Sequence, residues 1–187
     1  MRWSVLAIAN NYHVANCKSA VVVQRWKKPD PKYVKLNVDA SFHPDVGEGA
    51  TAAVIRDAKG NFLAAQCKFI SYAADVVNVE AMAMRDGLAL ANSLGMPRVE
   101  AESDSTIVVD ACVGHTTWWD ANSSIFAECV DISFSIGKVV FKHCYRECNE
   151  AAHVLANYSY CNKITSSWTN EPPGLLVSKL MDDIIPV

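Results

Sequence analysis

The spacing of hydrophobic and polar residues along the chain predicts five strands. Short alternating or continuous apolar runs that end at Gly, Pro, Asn or Asp are typical of strands. Such runs cover residues 33–42, 50–56, 62–70, 98–103 and 137–143. The second and third runs are separated by a short turn that contains glycine, which predicts a hairpin.

Longer stretches with helical spacing predict four helices. They cover residues 75–94, 104–112, 122–134 and 147–161. One face of the first helix carries Glu80, Met84, Gly87, Leu88 and Ala91. Gly95 and Pro97 end that helix, and Ser103 or Asp104 supplies the N-cap of the next. The order βββαβααβα predicts an α/β fold in which helices flank a mixed five-stranded sheet.

Prolines and charges divide the chain into an arm, a domain and a tail. The sequence Lys-Pro-Asp-Pro at residues 28–31 predicts a linker. We therefore expect a basic arm and linker over residues 1–32, one domain over 33–163 and a tail over 164–187. Residues 1–38 hold seven Lys or Arg and one acid, whereas residues 39–187 hold ten Lys or Arg and nineteen acids. A basic arm can contact phosphates, although such runs are more often only solvated.

The composition indicates a protein with one packed domain and no membrane span. With 187 residues, 51% of them hydrophobic, the chain can form one packed domain. Seven cysteines without a tight pairing pattern favour a reduced, intracellular compartment, without distinguishing nucleus from cytoplasm. No apolar run is long enough for a membrane span, and the apolar start at residues 3–9 is interpreted as a short helix or tail. We expect a monomer with no membrane partner.

Three acidic residues occupy positions that a sheet would bring together. Asp39 lies inside an apolar strand, Glu80 lies near the start of the first helix, and Asp104 lies where a strand ends. Each has an ordinary alternative on its own: a lysine partner for Asp39, a helix-dipole contact for Glu80, and an N-cap for Asp104. Together, like charges held this close need a divalent cation.

Four segments follow one another in an order that resembles a known family. They are KLNVDAS, AVIRDAKGNFLAA, NVEAMAMRDGLALANSLGMPRVEAESDS and VVFKHCYRECNEAAHVLAN. The first two segments are similar to the first strand and to the next two strands of the ribonuclease H family. The third is similar to its first helix, its fourth strand and its second pair of acids. The fourth is similar to its last strand and last helix. Trp26 before two prolines, and Trp168, Pro172, Pro173 and Asp182 near the end, resemble its plant, retroelement-type subfamily associated with reverse transcriptases. The resemblance covers roughly residues 25–183.

This resemblance implies an endonuclease that cuts the RNA strand of RNA–DNA hybrids. Asp39, Glu80 and Asp104 match the family's first three metal ligands, and His153 stands where the fourth, usually Asp, is found. His143 matches a histidine that helps the product leave. The residues implied to contact the substrate are Ser41, Asn78, Ser105 and Asn149. The implied cofactor is a pair of Mg²⁺ or Mn²⁺ ions, one activating water and one stabilising the leaving 3′ oxygen.

His153 is the main departure from the family pattern. Imidazole suits Mn²⁺ better than Mg²⁺, so a ligand role predicts a preference for Mn²⁺. The alternative is a histidine that only packs against the sheet. Ala40 also replaces a glycine that lets the hybrid come close. Trp118 and Trp119 lie in a stretch without Lys or Arg, and either stack on bases or pack in the core.

Three other functions remain open from the sequence. A zinc site could use the His and Cys residues His143, Cys144, Cys148, His153 and Cys161, but their spacing is poor for zinc. A retroelement-derived domain could bind nucleic acid without cleaving it. A plain interaction domain would be indifferent to metal, whereas the endonuclease requires Mg²⁺ or Mn²⁺.

Overall fold

The computed structural model describes residues 24–115 and 122–184. Its strands are β1 (Val34–His43), β2 (Glu48–Arg56), β3 (Phe62–Ile70), β4 (Arg98–Ser103), β5 (Lys138–His143) and β6 (Ser166–Thr169). Its helices are α1 (Val76–Ser93), α2 (Thr106–Cys112), α3 (Ser123–Ile136), α4 (Glu150–Asn162) and α5 (Gly174–Asp182). The described strands form one mixed sheet in the order β5-β4-β1-β2-β3-β6. The predicted α/β fold is confirmed, with one strand, β6, and one helix, α5, more than expected. The expectations for residues 1–23 and for Trp118 and Trp119 fall outside the described residues.

Strand β1 lies at the centre of the sheet, and its two neighbours fix its register. It pairs antiparallel with β2 and parallel with β4, where Asn37 aligns with Glu102. Because side chains alternate along a strand, Leu36 and Val38 face one side and Asn37 and Asp39 face the other. The central strand therefore has one apolar face and one polar face.

The two faces of the sheet are covered by separate apolar clusters. Leu36 and Val38 pack with α1, α2 and α3 in the larger cluster. A Cβ atom at Gly87 of α1 would lie 2.6 Å from Cγ1 of Val38, so only glycine permits this close approach. The smaller cluster joins β2 and β3 to α4 and α5 through small residues and leucines.

The segment expected to be a tail contributes to the sheet and to this second cluster. Strand β6 pairs antiparallel with β3, with Trp168 opposite Ala65. In α5, Leu176 and Leu180 are buried against α4. The sequence analysis missed β6 because Ser-Ser-Trp-Thr is short and lacks an apolar alternation.

The predicted linker also packs on the sheet. Trp26 is 4% exposed, and its Nε1 donates to Oδ1 of Asn37 over 2.8 Å. The guanidinium of Arg56 lies 3.6 Å from the centre of the Trp26 ring and pairs with Asp183 at 2.6 Å. On the polar face of the sheet, Arg56 thus contacts both Trp26, near the start of the described chain, and Asp183, near its end.

Two helix boundaries differ from the prediction in ways that affect the site. Ser105, rather than Ser103 or Asp104, is the N-cap of α2, so the side chain of Asp104 is not used for capping. The predicted last helix is divided into a 3-10 helix, Arg146–Cys148, and α4. Among the described residues, no helix combines the length and apolar character needed to cross a membrane.

Candidate active site

Three carboxylates from three different elements converge at the C-terminal end of β4. Asp39 lies on β1, Asp104 directly follows β4, and Glu80 lies in the first turns of α1. One carboxylate oxygen from each lies within 4.8 Å of the others. The parallel pairing of β1 with β4 brings the two aspartates together. The convergence that the sequence predicted is therefore present.

Burial and the charges of neighbouring acids strongly disfavour the charged forms of Asp39 and Glu80. Burial, followed by the charges of Glu80 and Asp104, raises the pKa of Asp39 to about 9. Burial and the charge of Asp104 raise the pKa of Glu80 to about 8. The positive charge of Arg146 acts in the opposite direction on both groups. The group is thus poised to bind positive charge.

The arrangement fits a hard divalent cation. Carboxylate oxygens are the ligands that Mg²⁺ prefers, and Mn²⁺ also accepts them. Oε2 of Glu80 is buried and has no hydrogen-bond partner among the described residues. A buried oxygen without a partner is costly, and a bound cation would satisfy it. Asp39, Glu80 and Asp104 are the residues that could hold such an ion.

His153 lies beside this group and holds Asp39 by a hydrogen bond. Its Nδ1 is 2.9 Å from Oδ2 of Asp39. Its Nε2 is 3.1 Å from Nη2 of Arg146 and 3.0 Å from Nδ2 of Asn157. Because both of these partners are donors, Nε2 accepts and Nδ1–H donates to Asp39. Burial and the charge of Arg146 lower the pKa of His153, which favours this neutral form.

The expectation that His153 is a metal ligand stays a prediction. His153 is not among the residues whose ligand atoms converge. His153 thus contacts the first acid from the edge of the carboxylate group, and a Mn²⁺ preference through a nitrogen ligand stays a prediction.

His143 is not brought into the carboxylate group. It is the last residue of β5, aligned with Ser103 of β4. Its exposed ring packs edge-on against Tyr145, with ring centres 5.8 Å apart. The expected role in product release stays a prediction.

Three of the four expected substrate contacts are partly exposed and have local partners. Oγ of Ser41 lies 3.3 Å from the ring of His43. The side chain of Asn78 donates to Asn122 over 2.9 Å. Ser105 accepts from the amide of Val108 as the cap of α2. These contacts leave their substrate-binding roles as predictions.

Asn149 differs from the expectation, because it is buried instead of facing a substrate. It is 1% exposed, and its Nδ2 donates to the carbonyl of Val38 over 2.8 Å. Val38 directly precedes Asp39, so this bond joins the start of α4 to the strand that carries the first acid. Asn149 is accordingly a structural anchor of the site.

Two residues that contact His153 were not identified from the sequence. Arg146 and Asn157 both contact His153. Asn157 lies four residues after His153, a spacing that places two side chains on the same helix face and that could have been noticed. Arg146 begins the short 3-10 helix before α4, so no periodicity pointed to it.

The cysteine and histidine residues of the zinc alternative do not form a site in the part of the chain that the structure describes. There, the three acids are the one group whose ligand atoms converge. Cys144 is buried, whereas Cys161 is exposed on α4. The zinc interpretation is therefore set aside.

Comparison with known proteins relates this fold to ribonuclease H structures. The N-terminal ribonuclease H domain of a Mycobacterium tuberculosis protein, solved as a fusion with maltose-binding protein, gives a TM-score of 0.65 at 21% identity, covering 70% of this chain and 94% of that chain. Ribonuclease H1 of the halophilic archaeon Halobacterium salinarum gives a TM-score of 0.65 at 21% identity, with 71% and 99% covered.

A third ribonuclease H1 was solved in complex with an RNA/DNA hybrid as well. A ribonuclease H1 isolated from compost by a metagenomic approach gives a TM-score of 0.65 at 24% identity, covering 71% of this chain and 98% of that chain. Its complex with an RNA/DNA hybrid matches with a TM-score of 0.63. At these identities the likeness shows a shared fold. No curated protein sequence matches the chain. A model of the family described as reverse transcriptase-like matches residues 37–159.

Proposed function

Because this chain belongs to the reverse transcriptase-like family, we propose that it is a metal-dependent endonuclease that hydrolyses the RNA strand of RNA–DNA hybrids. The observation that carries the proposal is the convergence of Asp39, Glu80 and Asp104 within 4.8 Å. The ribonuclease H structures that share the fold support it, and one of them was solved with an RNA/DNA hybrid.

The proposed cofactor is Mg²⁺ or Mn²⁺, with two ions as the family resemblance implies. Such ions lower the pKa of a bound water and stabilise the charge that develops on a leaving oxygen. Asp39, Glu80 and Asp104 would hold them. His153 keeps the carboxylate of Asp39 in place through the bond from Nδ1, and Asn157 fixes the histidine ring from its other side. This chain supplies preorganised ligands, which is how a protein contributes to metal-assisted hydrolysis.

A cleavage assay tests this function directly. The full chain is incubated with a hybrid labelled on its RNA strand, with Mg²⁺, with Mn²⁺ or with EDTA. We expect cleavage of the RNA strand with either metal and none with EDTA. RNA and DNA duplexes of the same sequence should stay intact.

The Asp39→Asn variant tests whether the cleavage activity arises at the proposed site. It removes one ligand charge at nearly constant shape, so cleavage should fall to background. Asp131→Asn is the matched control, because Asp131 is an exposed acid on α3 outside the carboxylate group. Hybrid binding without metal-dependent cleavage by the parent would contradict the enzyme and support the non-catalytic binding module.

A further inference from the structure

Unpaired basic residues gather at the end of the sheet that lies opposite the carboxylates. Because β4 and β5 run parallel to β1 and β2 runs antiparallel to it, this end carries the first residues of β1, β4 and β5 and the turn between β2 and β3. We call its exposed cations the basic end: Lys27, Lys28, Lys32, Lys59, Arg98 and Lys138. Apart from Arg25 and Arg146, they are all the Lys and Arg residues of the described chain that form no ion pair. Their charges are therefore available to a partner.

The linker before β1 packs on the sheet, which fixes the backbone that carries three of these lysines. A Cβ atom at Gly60, in the turn between β2 and β3, would lie 3.5 Å from Cε of Lys28 and 3.6 Å from the buried ring of Trp26. At the other end of the linker, the ring centre of Tyr33 lies 6.0 Å from Nζ of Lys138 on β5. The linker therefore joins the cation of the turn to those of β4 and β5 in one surface.

The acids near the basic end compensate its charge only in small part. Asp30 is the one acid in residues 24–33. On the polar face of β4, Glu100 and Glu102 are buried, and both pair with the equally buried Lys35. The basic end is therefore a positive surface, although the net charge of the whole chain is −3.

A nucleic-acid backbone is the partner whose charge fits this surface. Arg98 and Lys138 are aligned on neighbouring strands, so their like charges repel each other unless an anion lies between them. Each strand of a duplex offers one phosphate for about every 3.4 Å along the axis, so one nucleic acid can contact several of these cations together. Residues 39–187 hold nineteen acids against ten Lys or Arg, so the rest of the surface repels a polyanion.

We propose that the basic end binds the phosphate backbone of nucleic acid, as a second contact surface separate from the carboxylate group. Strand β4 keeps the two places apart by about 17 Å, the rise from Arg98 to Ser103. A substrate held at the carboxylates therefore reaches the basic end with the part that flanks the cleaved position. The contact is independent of sequence, because phosphates carry no base identity. This inference rests on the proposed function, from which it takes nucleic acid as the substrate.

Removal of four cations tests this contact. The four-fold variant combines Lys28→Gln, Lys59→Gln, Arg98→Gln and Lys138→Gln, and it is compared with the parent in the Asp39→Asn background, where no cleavage is expected. Binding of a fluorescein-labelled RNA–DNA hybrid is measured by fluorescence anisotropy in EDTA over a range of salt concentrations. Each lost phosphate contact should lower the slope of log Kd against log salt by about 0.9, so we expect the slope to fall by about two to four. An unchanged slope and Kd would overturn the proposal.

A matched pair of double variants separates the place of the charges from their number. Lys59→Gln with Lys138→Gln removes two charges from the basic end and should lower the slope by about one to two. Lys163→Gln with Lys179→Gln removes two charges elsewhere, from lysines that each pair with a glutamate. That control should keep the slope of the parent. Equal losses in the two double variants would show that net charge alone acts, and the basic end would not be a contact surface.

Cleavage kinetics give an independent readout. With Asp39 restored and Mg²⁺ present, the four-fold variant should show a raised KM for the hybrid and an unchanged kcat. The reason is distance: at 0.1 M salt the Debye length is about 10 Å, which is shorter than the separation of the basic end from the carboxylates. The cations then act on the substrate that they touch and not on the metal site. A lowered kcat with an unchanged KM would contradict the proposed contact.

Failure of this inference can be told apart from failure of the proposed function. If the parent cleaves the hybrid and the four-fold variant binds it with the slope of the parent, only the role of the basic end is lost. If the parent binds the hybrid through the basic end but does not cleave it with either metal, the surface is confirmed and the proposed endonuclease is wrong. Vesicles of phosphatidylserine and phosphatidylcholine test the other common polyanion, and sedimentation of the parent with them, without binding of the hybrid, would overturn both.

Discussion

At the scale of single residues, Asp39 and Glu80 resist ionisation in the folded protein. On folding, the pKa of Asp39 rises from 3.8 to about 9, and the pKa of Glu80 rises from 4.5 to about 8. Between these values the folded protein holds protons that the unfolded chain has released. A cation that binds the carboxylates competes with those protons.

Metal-free stability should consequently fall as the pH rises. A carboxyl group with a raised folded-state pKa gives the native state more bound protons than the unfolded state. The free energy of unfolding then decreases with pH, by up to about 1.4 kcal/mol per pH unit for each extra proton. The window runs from about pH 4 to about pH 9 for Asp39, and from about pH 4.5 to about pH 8 for Glu80. Thermal unfolding in EDTA across this range measures the effect.

The same experiment with Asp39→Asn isolates the contribution of the site. The variant lacks the first titrating group and relieves the repulsion on Glu80, so its advantage in melting temperature over the parent should grow with pH. Addition of Mg²⁺ should raise the melting temperature of the parent, more at high pH than at low pH. A pH-independent difference between the two metal-free proteins would show that Asp39 ionises normally.

At the scale of elements, the site depends on how α4 is attached to β1. Asn149 precedes α4 and donates to the carbonyl of Val38, across 111 positions of the chain. His153, one turn further along, donates to Asp39. Two contacts of one helix thus fix the strand that carries the first acid, one through the backbone and one through the carboxylate.

Removal of the Asn149 side chain should destabilise the protein. Asn149→Ala leaves the buried carbonyl of Val38 without its donor, which costs about 1–3 kcal/mol in the free energy of unfolding. Asn162→Ala is the matched control: its Nδ2 also donates to a backbone carbonyl, that of Tyr158, but at an exposed position. That control should change stability by less than about 0.5 kcal/mol. Urea unfolding compares the two, and equal small losses would deny Asn149 an anchoring role.

At the scale of the whole molecule, both ends of the described chain pack on the sheet through side-chain contacts. Trp26 covers Asn37 and stacks on Arg56, and Arg56 reaches Asp183 near the other end. Arg56 is 1% exposed, so its charge depends on that carboxylate. Strand β6 and helix α5 meanwhile complete the second apolar cluster.

Deletion of residues 164–187 should therefore damage the fold, although the sequence suggested a tail there. The shortened chain loses Leu176 and Leu180 from the core, and it leaves β3 as an open edge. It also leaves Arg56 as a buried unpaired charge, which alone costs about 3–5 kcal/mol. We expect a large fall in the urea midpoint, or an aggregated protein.

Deletion of residues 185–187 alone is the control, because it retains Asp183 and the whole of α5. It should unfold as the parent does. If the chain ending at Lys163 unfolds at the same urea midpoint as the parent, then β6 and α5 lie outside the cooperative unit, and the domain ends where the sequence analysis placed it.

The sequence by itself determined the elements with clear periodicity and the acids that they carry. β1 to β5 and α1 to α4 follow from apolar spacing, turn residues and caps, which are local properties. Asp39, Glu80 and Asp104 could be singled out because a carboxylate in an apolar strand, or on an inward helix face, conflicts with its surroundings unless a cation compensates it. The family resemblance then indicated that the three belong to one site.

Tertiary structure decided what depends on contacts between distant segments. β6 is a strand because β3 offers it an edge, and Trp26 is buried because Asn37 and Arg56 lie beneath it. His153 meets Asp39, 114 positions away, because α4 packs against β1. Such partners lie far along the chain from the residues that they contact. No local spacing encodes these contacts, since only packing determines which distant groups meet.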